Sequence, residues 1–308
     1  MTFSSSLVGP VIVLSFVVGC GSKTGTQTTP GSMAPKVLVI GVDGLRGDGI
    51  PSAETPHTDA LLEVAAWTFF ASTHLEAQTV SGPGWTGILT GVDANKHGVD
   101  SNSDWADINR DYPTMISRAH SLGLSTATAI HWEPIHTYII ESGVTDTAIL
   151  GDDQEVADQM SEVLENANHD LHFVHFDDVD QAGHAHEFSI HNPEYRAAIE
   201  VVDGQIGQLT AAIAARATRA DESWLIIVSS DHGGEGTSHG GVNAENRTIP
   251  LILSGDNVRL GKLKGTNTIP GEHDVGFVSN LDIYPTVFAH FGHSPLPDWA
   301  LAGQVRGL

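Results

Sequence analysis

Apolar strands and helical segments alternate along most of this 308-residue chain, which predicts an α/β fold: a mostly parallel central sheet with helices on both faces. Two further observations support it. The predicted strands are continuous Val/Ile-rich runs, the pattern of strands covered on both faces. Several of them also run directly into Asp or His, which puts polar side chains at the carboxyl ends, where open α/β sheets bind ligands.

Taken in order, residues 37–42 (VLVIGV) read as a strand and 56–67 as a helix. A short helix over 85–89 follows a Gly- and Pro-rich turn. Residues 101–111 are polar with little periodicity, a surface excursion. Residues 113–122 form a helix closed by Gly123, and 124–130 a strand. The amphipathic pattern of 152–167 has an acidic start and places Val156, Met160, Val163 and Leu164 on one helical face. Residues 171–176 are a strand and 193–219 a long helix. Strands at 225–228 and 250–253 and a closing helix at 283–291 complete the series. There is no internal repeat and no GxxxxGK[ST] phosphate loop.

The N-terminus stands apart. Residues 7–19 are apolar apart from an interruption at Pro10, too short a run to span a bilayer but suited to a signal peptide, and Cys20 follows. Val17, Val18, Gly19 and Cys20 resemble a bacterial lipobox, although no Lys or Arg precedes the run. The expected organisation is a lipoprotein-type signal over 1–20, a flexible Gly/Ser/Thr tether over 21–35 and one catalytic domain over 36–308. This places the protein outside the cytoplasm, periplasmic or at the cell surface, on the membrane only through a lipid at Cys20. As Cys20 is the one cysteine, no disulfide is expected. The formal charge of −24 repels polyanions, so a nucleic-acid polymer is excluded as partner and a small substrate is expected.

Candidate chemistry gathers where the strands end. Asp43 follows VLVIGV, Asp180 and His184 form DxxGH after the strand 171–176, and Asp231 and His232 follow WLIIVSS, with His239 in the next loop. Asp and His in this mixture are ligands of a first-row divalent metal. Each Asp alone reads equally well as a helix cap; the set does not. Ser81, in TVSGPGWTG, sits in a turn before a helix that would aim backbone N–H groups at a bound oxyanion, or is a plain N-cap. No GxSxG elbow exists, so if Ser81 is a nucleophile a metal rather than a histidine activates it.

The order Asp, Ser, DxxGH, DH, His is similar to that of the alkaline phosphatase superfamily, and most resembles its nucleotide pyrophosphatase/phosphodiesterase-type branch from Lys36 to about Gly292. The resemblance implies a doubly wound sheet and two divalent metals, zinc by ligand type with Mn or Fe also compatible. It implies that Asp43, Asp231 and His232 hold one metal facing the Ser81 nucleophile, and that Asp180, His184 and His239 hold the other. It further implies hydrolysis of phosphate esters through a phosphoserine on Ser81. A diesterase leads and a phosphomonoesterase is the alternative; the reading from another class is a non-catalytic, metal-stabilised surface lipoprotein.

Counting back from Thr90 and Gly91 puts Ser81, not Thr79, at the nucleophile position. Gly84 stands where members of the branch carry an Asn that holds a phosphoryl oxygen. Ser81-Gly-Pro83 resembles the sulfatase activation motif, but its fifth residue is Trp85 where that motif needs Arg. His273 competes with His239 for the last ligand position, and Asp178 with Asp180; in both cases spacing favours the second-named residue's site, His239 and Asp180 being preferred. Arg46 is expected in a helix-surface ion pair rather than on a phosphate, and His172 and His175 as half-buried strand residues. His97, in KHGV, is expected to be structural.

Overall fold

The computed structural model describes residues 1–2, 33–73, 77–265 and 277–308. The signal apart from residues 1–2, the tether apart from residues 33–35, and His273 therefore lie outside the described residues. In chain order the elements are β1 (Ala34–Val42), α1 (Pro56–Leu62), β2 (Ala65–Ser72), α2 (Ser81–Thr90), α3 (Ala94–His97), α4 (Met115–Ser121), β3 (Thr126–Ile130) and β4 (Asp146–Ile149). There follow α5 (Asp153–Asn166), β5 (Leu171–Phe176), α6 (Asp178–His186), α7 (Pro193–Ala215), β6 (Glu222–Ser229), α8 (Ala244–Arg247), β7 (Thr248–Gly255), β8 (Gly261–Lys262) and α9 (Ile283–His290).

The strands form one eight-stranded sheet in the order β4-β3-β5-β1-β6-β7-β2-β8. Strands β4, β3, β5, β1 and β6 run parallel, and β7 alone is reversed, antiparallel to both β6 and β2. Period-two geometry then splits the core. Leu38, Ile40 and Val42 of β1 face a layer of α1, α5 and α7, including Met160, Leu164, Ile199 and Leu209. Val37 and Val39 face α2, α4 and α9, including Ile88, Ile116, Val287 and Phe288. A mostly parallel sheet with helices on both faces is the observed architecture.

Two departures from the sequence reading have clear causes. The helix expected over 56–67 ends at Leu62, and Ala65–Ser72 turns into strand β2. Trp67, Thr68, Phe69 and Phe70 favour a pleated surface, and β7 supplies the antiparallel partner. The long helix expected to reach residue 219 stops at Ala215, because Arg216 leaves the helical conformation to bond the buried Glu222 and the carbonyls of Leu164 and Ala167.

Register is what positions the site. Val42 pairs with Phe176 across β1/β5, and Gly41 with Ser229 across β1/β6. The residues just past these strands, Asp43, Asp177 and Asp231, are thereby brought to one edge of the sheet, and the Asp43 N–H still donates to the Phe176 carbonyl at 2.8 Å.

Candidate metal and phosphoryl-transfer site

Asp43 is fully buried and its two oxygens have different duties. Oδ2 accepts the Trp85 indole N–H at 2.8 Å and lies 3.1 Å from His175 Nε2. His175 Nδ1 accepts the Trp132 N–H, so its proton is on Nε2 and points at Asp43. Oδ1 has no hydrogen-bond partner among the described residues. Burial alone would push the Asp43 carboxyl up; the His175 hydrogen bond, the charge of His232 and His175, and the Trp85 N–H outweigh it and hold the carboxyl at about 2. His172 and His175, expected to be half-buried, are both completely buried because β5 lies inside the sheet.

The loop after β6 supplies the next two groups. Asp231 Oδ1 accepts the Gly44 N–H at 3.4 Å, while Oδ2 has no hydrogen-bond partner among the described residues and lies 3.3 Å from His232 Nε2. The same Nε2 is 3.5 Å from Asp43 Oδ1 and 3.5 Å from Ser81 Oγ. Ser81 is not an N-cap: Val80 occupies that position, Ser81 is the first residue of α2, and its hydroxyl faces His232. Burial, then the negative charges of Asp43 and Asp180, push the Asp231 carboxyl well above the usual range.

From α6 come Asp180 and His184, one turn apart, with Asp180 Oδ2 3.3 Å from His184 Nε2. Asp180 Oδ1 lies 3.8 Å from His239 Nε2 and has no hydrogen-bond partner among the described residues. The His184 and His239 Nε2 atoms face each other at 3.0 Å. All of His184, His232 and His239 have Nδ1 against a main-chain carbonyl, of Thr237, Gly233 and Thr79 respectively, at 3.0, 2.8 and 2.9 Å. A carbonyl only accepts, so each Nδ1 carries the hydrogen and each Nε2 turns its lone pair inward. Two such lone pairs repel unless a cation stands against them. A proton on His184 Nε2 can take that place, and its hydrogen bond to Asp180 pushes the exposed imidazole up to about 9, whereas burial and then the charge of His232 push His239 down to about 4.

Asp43, Ser81, Asp180, His184, Asp231, His232 and His239 are thus gathered at one place. The donor atoms of Asp180, His184 and His239 lie within 4.8 Å of one another, as do those of Asp43, Asp180 and His232, so Asp180 is within reach of both halves. The chemistry of the donors fits divalent cations. Three inward carboxylate oxygens have no hydrogen-bond partner among the described residues, and three imidazoles can present Nε2 lone pairs.

Other expectations resolve by position. Asp178 faces His131 and Asp153 instead of this cluster. Arg46 is in an ion pair, but in the loop after β1 rather than on a helix: it grips Asp48 with two nitrogens and donates to the Phe188 and Gly234 carbonyls. Of the backbone N–H groups expected to open toward an anion at Ser81, two are engaged, Gly82 N–H by Asn102 Oδ1 at 2.6 Å and Gly84 N–H by the Val80 carbonyl. His97 is structural as expected, its Nδ1 accepting the Val99 N–H.

Residues that the sequence did not single out hold this arrangement. Tyr195 of α7 donates to the Gly44 carbonyl and accepts from the Arg46 N–H, fixing the turn after Asp43. Phe188 packs against Gly183 of DxxGH and Gly234, where an added Cβ would come within 2.3 and 2.4 Å of its ring, and the ring also lies beside His184 and His239. Gly44 has φ of +68°, and a Cβ there would meet Asp180 Oδ1 at 2.6 Å, so the residue after Asp43 has to be glycine.

A family model described as type I phosphodiesterase / nucleotide pyrophosphatase matches residues 37–251. Among solved structures, the chain is similar to the murine ectonucleotide pyrophosphatase / phosphodiesterase 5, an inactive form in complex with AMP. The TM-score is 0.70 at 15% identity, over 86% of this chain and 96% of that chain. The human counterpart gives a TM-score of 0.66 at 14% identity, over 85% and 96%. A 2-O GAG sulfatase gives 0.68 at 15% identity, over 89% and 73%. At these identities the likeness is one of fold. No curated protein sequence matches.

Proposed function

Because the chain belongs to the type I phosphodiesterase / nucleotide pyrophosphatase family, and is a phosphoric ester hydrolase of that type, we propose that it cleaves small phosphodiesters by phosphoryl transfer through Ser81. One observation carries the assignment. Ser81 Oγ, His232 Nε2 and the unpartnered oxygens of Asp43, Asp231 and Asp180 face the same small volume at the carboxyl edge of β1 and β6.

Asp43, Asp231 and His232 would hold one divalent cation beside Ser81, and Asp180, His184 and His239 a second; zinc suits this mixture of carboxylate and imidazole. Bound there, such ions supply Lewis acidity, lowering the pKa of the serine hydroxyl and neutralising charge on the phosphoryl oxygens. The protein does the rest. Ser81, first in α2, directs Oγ at the substrate phosphorus, and the Oγ–P bond forms as the bond to the leaving alcohol breaks. Ser81 gives its hydroxyl proton to solvent water, and the leaving oxygen takes a proton from that water. A water molecule then attacks the same phosphorus, releasing phosphate monoester and returning the proton to Ser81 Oγ. Trp85 and His175 keep Asp43 turned toward the site, and the carbonyls of Thr79, Gly233 and Thr237 keep the imidazoles turned the same way.

AMP in the murine structure is a nucleotide ligand of that protein, and it supports trying nucleotide diesters first here. The test is a rate panel on aryl phosphodiester, monoester, phosphonate and sulfate, with metal analysis of the same preparation. A diester-to-monoester ratio of kcat/KM well above one is expected. A ratio below one makes the enzyme a phosphomonoesterase, and bound metal without turnover of any phosphate ester makes it a binding protein. The proposal includes export and lipid anchoring at Cys20, for which mass spectrometry of the mature N-terminus is the check. An intact, unacylated start in membrane fractions rules the anchor out.

A further inference from the structure

We infer that the outer edge of the sheet at β8 is a membrane-docking face, where Arg259, Lys262 and Lys264, flanked by the apolar Val64 and Leu260, rest on the headgroups of an anionic bilayer. This adds a protein surface to the lipid anchor proposed above and builds on that anchoring. Of the 14 Lys and Arg in the chain, these three fall within residues 257–265, NVRLGKLKG, with no acidic residue among them. In a chain of formal charge −24 such a run is a local reversal of sign.

The fold leaves these charges available. All three residues are exposed, and among the described residues none of them is in an ion pair, whereas Lys36, Arg46, Arg110, Arg216, Arg219 and Arg306 each meet a carboxylate. Lys262 Nζ lies 4.8 Å over the Trp67 ring and Lys264 Nζ 4.8 Å over Phe277, contacts that hold the ammonium groups without neutralising them. Val64 precedes β2 and Leu260 precedes β8, and the pairing of Ala66 with Gly261 sets these two exposed residues at one corner. Of the carboxylates in the same segments, Asp256 is taken by Arg219 and the Trp224 N–H, which leaves Glu63 against three cations. A groove of about 320 Å³ along this edge, lined by Trp67, Phe70, Lys262 and Leu263, offers aromatic and apolar surface of the kind that sits at headgroup level.

Position selects a bilayer as the occupant. Ala34 pairs with Glu222 and Leu225 with Gly255, so the start of β1 and the end of β7 lie at the amino end of the sheet, away from the carboxyl edge that carries Asp43 and Asp231. Ala34 is fourteen positions after Cys20, a span of at most about 50 Å, so a lipid on Cys20 keeps this end close to the membrane. Charges are felt over only about 8 Å at physiological ionic strength, so at contact the basic strip outweighs the acidic surface elsewhere. Docked this way, the protein turns the site at Ser81 toward solvent.

The test places the full chain on vesicles of phosphatidylethanolamine and phosphatidylglycerol that carry a headgroup nitroxide lipid. Lipidated Cys20 has no free thiol, so a fluorophore can be attached at Leu260→Cys, or at Val242→Cys in the exposed loop after His239. Quenching at 260 and none at 242 is expected; equal quenching, or more at 242, overturns the face. Combining Arg259→Gln, Lys262→Gln and Lys264→Gln should abolish quenching at 260 while kcat on an aryl phosphodiester and Tm stay at wild-type values. Retained quenching in that variant overturns the role of the charges. If the mass of the mature N-terminus shows no lipid, the anchor has failed, and partitioning of the unlabelled chain onto phosphatidylglycerol vesicles decides the face. Wild-type partitioning about 100-fold tighter than that of the triple variant supports it, and equal partitioning overturns it.

Discussion

The indole N–H of Trp85 lies 2.8 Å from Oδ2 of Asp43, joining the helix that begins at Ser81 to the carboxylate at the end of β1. Trp85 is four residues from Ser81, one helical turn, so the same helix presents the proposed nucleophile and braces the carboxylate opposite it. Trp85→Phe keeps most of the buried volume and removes the donor. Metal affinity is expected to fall about 10- to 100-fold, with the fold intact. Titration of the metal-free protein with zinc checks this; wild-type affinity would show that His175 alone orients Asp43.

Ser81→Ala should lose at least about a thousandfold in turnover while keeping its metals, because Asp43, Asp231 and His232 remain. Comparing kcat and metal content in one preparation decides it. Near-wild-type turnover would remove Ser81 as nucleophile.

Removal of metal should destabilise as well as inactivate. The carboxyl of Asp231 is pushed up by burial and by its neighbours Asp43 and Asp180, a repulsion that bound cations relieve. A strong chelator is expected to abolish activity and lower Tm, and zinc to restore both; zinc at 100 times its dissociation constant stabilises by about 2.7 kcal/mol. Indifference of both activity and Tm to chelation would exclude the metal assignment.

Phe188 wedges between α6 and the loop after β6, its ring against Gly183, Gly234 and both of His184 and His239. Phe188→Ala should cost about 3–5 kcal/mol in denaturant unfolding and weaken metal binding through the two imidazoles. A stability loss with unchanged metal affinity would show that the ring packs but does not orient.

One pH dependence lies far from the site. Burial would raise the Glu222 carboxyl, but hydrogen bonds from Arg216, Trp224 and Thr218 and the Arg216 charge overcome it and hold the group at about 2. A carboxyl depressed in the folded state contributes its stability above the unfolded pKa of about 4.5 and loses it as pH falls through about 2. Glu222→Gln is therefore expected to be less stable than wild type by about 2 kcal/mol at pH 7. The gap should narrow between pH 4.5 and 2, as urea unfolding at several pH values will show.

The parts legible in the sequence are those whose chemistry is local. β1 and β6 are covered on both faces, so they contain unbroken apolar runs, and the residue types at their ends are dictated by what binds a cation. β2 was hidden because its aromatic run continues directly from a helical pattern, and β4 because its DTAI sequence is a short, largely exposed edge. The bracing residues were illegible for another reason. His175 meets Asp43 across 132 positions and Asn102 meets Gly82 across 20, and neither pairing has a sequence signature before the neighbouring strands and loops are known. Family spacing also suggested two separate ligand sets, whereas Asp180 comes within reach of both.

The imidazoles of His184, His232 and His239 are aimed by the carbonyls of Thr237, Gly233 and Thr79, which are parts of the main chain. Every amino acid carries that acceptor, so the aim of these rings does not depend on which side chains occupy 79, 233 or 237. Exposed Thr237 can drift as long as the loop keeps its path, whereas packing holds Gly233, where a Cβ would lie 2.2 Å from the Glu245 carbonyl, and the buried Thr79. The orientation of the ligands is in effect inherited through loop shape, and insertions or deletions between positions 233 and 239 should be far less tolerated than replacements.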